Sequence, residues 1–179
     1  WITDTGNNRV IQMNVANLPD STITEEFANF YSQFLDQPYA VSFRNTDEAI
    51  VYITDKNDNE IERLTFSADS GRYVRDTEVT GFSEPVDITV TEEQYVWVIN
   101  YSGRVDFFPE DNFANPVLVT SQQFNNPHRI IADNLSTACW VADNGLNELI
   151  KIRRKNEFET EIVRRIAGFN FIADFTIIQ

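Results

Sequence analysis

One figure recurs four times in this sequence and restricts what it can fold into. WITDTGNNRV (Trp1 to Val10) is an apolar run, a polar turn and a second run that starts with a charged residue. VYITDKNDNEIERL from Val51, VWVINYSGRVDFF from Val96 and CWVADNGLNELIKI from Cys139 repeat it. The aromatic residues near the start of each copy, Trp1, Tyr52, Trp97 and Trp140, are 51, 45 and 43 residues apart. A period of this size belongs to repeat architectures, in which each unit buries its apolar faces against its neighbours.

A second figure keeps the same spacing. Pro38, Pro85 and Pro127 each open an alternating apolar run, 47 and 42 residues apart, and Ile172 stands 45 residues further on in the fourth place. Proline is tolerated at the first residue of a strand, where no ladder N–H is lost. Three residues ahead of each stand Leu35, Phe82, Phe124 and Phe169. A bulky apolar residue at this point is expected to plug the gap between neighbouring sheets.

Each unit therefore reads as four short strands. The proline-led run is the first and the Trp- or Tyr-bearing run the second. The third follows the turn, at Arg9 to Val15, Glu60 to Phe66, Arg104 to Phe108 and Glu148 to Arg153. The fourth includes TEVTGF, VLVTSQQF and EIVRRIAGF. In the first unit the aromatics of EEFANFYSQF (Glu25 to Phe34) have helical spacing. The other units put a strand at this place, and a strand after a longer loop is expected here too.

Four strands in about 45 residues make a β-propeller blade. A β-sandwich carries no such internal copies, and a parallel solenoid has far shorter units. The expected fold is all-β: one propeller domain over 1–179, with blade equivalents at roughly 1–36 plus 172–178, 37–83, 84–125 and 126–170. The chain opens on the second strand of a blade, without Met, as a mature or trimmed product would. It closes on the first strand of one. Pairing of these two ends would close a four-bladed ring with no free sheet edge. The alternative is part of a larger ring, whose open edges would favour self-association.

Trp-Ile-Thr-Asp-x-Gly-Asn-Asn-Arg-Val at Trp1 to Val10, with the Phe-x-x-Pro lead-in, resembles the NHL-repeat family of β-propellers, and the resemblance runs over essentially the whole chain. It implies six blades, the family's usual number. Later copies depart from the pattern. Asn8 is matched by Asn59 and Asn147, but the turn arginine recurs only as Arg9 and Arg104, with Glu60 and Glu148 elsewhere. Asp4, Asp55, Asn100 and Asp143 are expected to accept N–H groups of the turn that follows.

In a propeller the first strand of each blade lines the central channel. Two residues after each proline, or after Ile172, stand Ala40, Asp87, Arg129 and Asp174, where the family usually has a small residue. Tyr39, Val86, His128 and Ala173 precede them. Convergent polar groups at a channel mouth are a candidate binding site. Asp87 and Asp174 are the candidate ligands of a divalent cation such as calcium, with Arg129, His128 and Tyr39 beside them. The alternative is an Asp–Arg–Asp network that seals the channel, since buried charges are normally paired. A slip of one residue would turn this whole set to the other face. Phe27, Phe30, Tyr31 and Phe34 are a second candidate contact patch, with core packing as the alternative.

Several chemistries lack their residues. A usual zinc site needs several His or Cys ligands, and the chain has one His and one Cys. No G-x-S-x-G elbow is present. DKNDNE at Asp55 lacks the Gly and closing Glu of a calcium loop. Propellers of the lactonase type hold a divalent cation with carboxylates and Asn, a set that Asp87, Asp174 and Asn100 could imitate. Cys139 stands alone in an apolar run, so it reads as a small buried side chain.

The net charge of −14 argues against nucleic acid and anionic membranes as partners. Arg153, Arg154, Lys155, Arg164 and Arg165 are the one local basic group. No apolar run approaches the roughly 18 residues of a membrane span, so insertion is not expected. Asn100-Tyr101-Ser102 and Asn134-Leu135-Ser136 are glycosylation sequons in expected turns. The function expected is a non-enzymatic module that binds a protein, peptide or glycan, without a cofactor unless a cation. The alternative is a metal-dependent, lactonase-like hydrolase. An extracellular or periplasmic location fits the acidity and the fold.

Overall fold

Fifteen short strands take up the alternating runs in the computed structural model, which describes residues 1–13, 28–44, 47–113, 119–121, 124–133 and 137–177. The first sheet contains β1 (Ile2–Asp4), β2 (Arg9–Met13) and β3 (Ala28–Tyr31). The second contains β4 (Pro38–Arg44), β5 (Asp47–Asp55), β6 (Glu60–Ser67) and β7 (Arg72–Thr80). β8 (Pro85–Val90), β9 (Tyr95–Asn100), β10 (Val105–Pro109) and β11 (Val119–Ser121) form the third. β12 (Pro127–Asp133), β13 (Ala138–Asp143), β14 (Glu148–Arg154) and β15 (Thr160–Ala167) form the fourth.

Every sheet is an antiparallel meander in chain order. The inner strands pack in series, β1 against β4, β4 against β8 and β8 against β12. This is a propeller-like array of four blade equivalents, and the ambiguous aromatic stretch ends in a strand, β3. Residues 168–177 carry no strand, and β1 has β2 as its one ladder partner among the described residues.

The core lies between sheets rather than within any one of them. Val51 and Ile53 point toward the first sheet and join Val10, Tyr31 and Leu35. Their neighbour Tyr52 points the other way and joins Phe82, Val96, Val98 and Phe108. Trp97 and Ile99 alternate in turn toward the fourth sheet, where they meet Ile130, Val141 and Ile150. Successive strand residues face opposite sides. Runs such as VWVI are thus apolar throughout because both faces of the sheet are covered.

The lead-in residues fill the gaps as expected. Leu35 and Phe82 are 6% exposed, and Phe124 packs half-buried between the third and fourth sheets. Phe169, with no sheet beyond it among the described residues, is 40% exposed.

The turns stitch each blade to the next. Asn8, Asn59 and Asn147 hold left-handed φ values of 51°, 59° and 56°, a conformation Asn tolerates better than most residues. Asn8 Oδ1 accepts the Gln37 N–H (3.1 Å), and Asn59 Oδ1 accepts the Glu84 N–H (2.8 Å). In the shorter third turn a glycine solves the same problem. Gly103 has φ +88°, and a Cβ there would lie 3.2 Å from the Phe124 carbonyl oxygen. Gly103→Ala should therefore cost about 1–2 kcal/mol in urea denaturation. Gly6→Ala, which meets nothing within 4 Å, should be close to neutral.

One irregularity recurs where the channel site was expected. The ladders of β4, β8 and β12 each slip just after their proline: between Pro38 and Val41, Pro85 and Asp87, and Pro127 and Arg129. Bulges of this kind re-aim side chains.

Candidate functional site

Three of the four ring positions converge. Arg129, on β12, donates from Nε to Asp174 Oδ1 (3.0 Å) and from one terminal nitrogen to both oxygens of Asp87 (3.2 Å each). Asp87, on β8, is 3% exposed and also accepts the Ile130 N–H at 2.7 Å. Burial pushes its carboxyl up to about 6, against the downward pull of Arg129 and of backbone N–H groups. Asp174 is largely exposed. The fourth position, Ala40, supplies no polar side chain, and its backbone N–H donates to Thr54 Oγ1 (2.8 Å). A guanidinium thus bridges the two carboxylates proposed as cation ligands, and no oxygen of Asp87 is left without a donor.

His128 and Tyr39 lie outside this network. His128 occupies the bulge of β12; both its ring nitrogens are enclosed without a hydrogen-bond partner, and its ring stacks 6.2 Å from that of Phe171. Tyr39 occupies the equivalent bulge of β4 and is 50% exposed. Its ring lies 5.7 Å from the Lys56 ammonium, which also sits 4.9 Å from the ring of Tyr101, itself 65% exposed. A Tyr–Lys–Tyr group therefore spans the second and third sheets on the face that carries the β5–β6 and β9–β10 turns. Cation–π contacts such as these are worth about 0.5–1 kcal/mol each at exposed sites.

Other expectations need correction. Asn100 is no channel ligand and no glycan acceptor: it is fully buried, its Nδ2 donates to the Arg104 carbonyl (3.1 Å) and to Asp106 (2.9 Å), and its Oδ1 accepts the Ser83 N–H (2.8 Å). Asn134 lies outside the described residues, as does Phe27, and only the backbone of Phe30 lies within them. Tyr31 offers no contact surface, since it is buried with its ring 5.5 Å from that of Trp1. Phe34 packs against the same cluster, under the Arg75 guanidinium at 5.2 Å. Core packing claims both because they face the seam between the first two sheets.

Four of the five basic residues are paired. Arg153 meets Glu161, Arg154 meets Glu93, Lys155 meets Glu159 and Arg165 meets Glu148. Cys139 is fully buried, and burial pushes its thiol well up from the ordinary value.

The β5–β6 turn, DKNDNE, lacks the calcium-loop pattern in sequence yet gathers a carboxylate cluster. Asp55, Asp58 and Glu60 each bring one oxygen within 4.8 Å of the others. Burial, opposed by the Asp36 N–H and reinforced by the charges of Asp58 and Glu60, pushes Asp55 up to about 7. Burial and the neighbouring Glu62 bring Glu60 to about 7 as well. The signal was present in the repeat itself, where Glu60 replaces the turn arginine.

No family model and no curated protein matches the chain in sequence. Solved structures do match it. It is similar to a 6-phosphogluconolactonase-like protein of Bacteroides fragilis (TM-score 0.67, 12% identity, over 80% of this chain and 44% of that one). It is also similar to virginiamycin B lyase of Staphylococcus aureus (TM-score 0.65, 16% identity, over 94% of this chain and 51% of that one). A protein of unknown function from Desulfotomaculum acetoxidans matches with a TM-score of 0.65 and 14% identity, over 95% of this chain and 57% of that one. The chain spans about half the length of the structures it matches. At these identities the likeness establishes one thing, a β-propeller-type fold.

Proposed function

We propose that this propeller is a non-enzymatic binding module, of the NHL-repeat type that its first turn resembles, and that it presents the turn face of its second and third blades to a peptide or glycan. The observation that carries this reading is the exposed Tyr39–Lys56–Tyr101 group on a rigid scaffold. Aromatic rings held beside a cation offer apolar contact area and a hydrogen-bond donor together, at low conformational cost. The channel-mouth carboxylates, by contrast, are already bridged by Arg129. Binding to immobilised glycan and peptide libraries tests the reading. Tyr101→Ala should weaken any specific interaction about tenfold, or roughly 1.4 kcal/mol, with no change in unfolding. A library hit unaffected by Tyr101→Ala and Tyr39→Ala would rule out this face.

A channel hydrolase would need a cation at Asp87 and Asp174, in competition with the bridging guanidinium. Lactone hydrolysis by the purified chain that is abolished by Asp87→Ala would displace the binding reading.

A further inference from the structure

The β5–β6 turn has exchanged a guanidinium for a carboxylate. In the first sheet Asp4 and Arg9 are cross-strand partners, and their side chains meet at 2.6 Å. In the second sheet the same two places hold Asp55 and Glu60, again cross-strand partners, and Asp58 adds a third carboxylate between them in sequence. Nearby cations are committed elsewhere. Arg75 is shared among Glu62 (2.5 Å), Glu78 (3.2 Å) and, more distantly, Glu60 (3.8 Å). Lys56 pairs with Glu84 at 3.4 Å.

The fourth sheet shows how such a turn looks when it is satisfied without an added cation. Asp143 and Glu148 occupy the same two places. Asp143 accepts four backbone N–H groups, from Asn125 (2.8 Å), Asn126 (3.0 Å), Gly145 (2.9 Å) and Leu146 (3.1 Å). Glu148 pairs with Arg165, and Leu146 stands where the second sheet has Asp58. Asp55 is as fully buried as Asp143 but far less satisfied. Its Oδ2 accepts the Asp36 N–H at 2.8 Å and the Asp58 N–H also faces the carboxylate, but its Oδ1 is enclosed with no donor at full hydrogen-bond distance. A buried carboxylate oxygen in this state is costly unless something positive answers it.

We infer that Asp55, Asp58 and Glu60 bind a calcium ion, which takes the place that the Arg9 guanidinium holds in the first sheet. The donors are all hard oxygens, which select calcium or magnesium over zinc or copper. Three carboxylates on one turn suit calcium, because magnesium keeps most of its waters and usually takes one or two carboxylates. Asp58 is exposed and gives the ion a route from solvent to the enclosed Asp55. The site is separate from the Asp87–Arg129–Asp174 network and does not depend on the binding reading.

Isothermal titration of the chelator-stripped chain with calcium chloride tests the inference. One ion per chain is expected, with affinity at least tenfold lower in Asp58→Asn. Asp58 is exposed, so this variant keeps the fold. Glu60→Arg rebuilds the first-sheet pair and should abolish calcium binding while keeping the melting temperature in chelator at or above that of the parent chain. Asp174→Asn, at the channel mouth, should bind like the parent. No binding by the parent chain overturns the site, as does binding that both Asp58→Asn and Glu60→Arg leave intact, or that Asp174→Asn removes. Equal affinity for magnesium overturns the choice of calcium.

Discussion

Phe82→Ala should lower the unfolding free energy by about 3–5 kcal/mol, the usual range for truncating a buried phenylalanine. Phe82 sits in the lead-in between two sheets. It touches both sides of one cluster, with Ile61 and Val79 from the second sheet and Ile88 and Phe108 from the third. The sheets are held apart by other large side chains, so the cavity cannot simply collapse. Phe169→Ala is the internal control. It occupies the equivalent place after the fourth sheet but is 40% exposed, and it should change stability by about 0.5 kcal/mol or less. Urea denaturation of both variants measures the contrast. If Phe82→Ala lost no more than Phe169→Ala, the lead-in residues would not be seam plugs at all.

The second large effect is expected at Arg129. Arg129→Met removes the partner of a buried carboxylate and leaves Asp87 with backbone N–H groups alone. Leaving a buried acceptor without its partner typically costs about 1–3 kcal/mol; water reaches the 40% exposed Arg129 side chain, and the exposed Asp174 end should add little. The loss should depend on pH in a defined direction. Asp87 titrates near 6 in the folded chain, above its ordinary value of 3.8, so the folded state holds the proton more tightly. Its contribution is therefore most favourable below about 4 and declines as pH rises toward 6. Without Arg129, which pulls the value down, the decline should extend above 6. Denaturation curves at pH 5 and pH 7 should show the variant recovering much of its lost stability at the lower pH. An equal loss at both would mean that Asp87 is not the group left unpaired.

The repeat was legible because its physics is local. Left-handed Asn8, Asn59 and Asn147, strand-opening prolines and alternating apolar runs each impose their own geometry wherever they occur. The register of those prolines also placed Asp87, Arg129 and Asp174 near one another. The bulges behind the prolines were not legible, since an inserted residue leaves no mark on a two-residue period. Burial was legible only in part. Asn100 lies in a turn by pattern, yet it is enclosed by the lead-in and strand that bond to its amide. Tyr31 and Phe34 carry the same aromatic character whether they meet solvent or a neighbouring sheet. Position along the array decides which, and one strand cannot reveal it.

Because the apolar clusters fill the seams between sheets, no single blade contains a core of its own among the described residues. Copying one unit along the gene therefore copies two half-interfaces, each of which must fit an existing neighbour. Such a history leaves the sheet faces conservative and the turns at liberty to drift. The four turns show this division: their charges have changed from Arg9 to Glu60 to Arg104 to Glu148, while Ile53, Val98 and Val141 still enter the same kind of seam. New chemistry in this array is to be sought at its corners, where one copy can change without asking leave of the next.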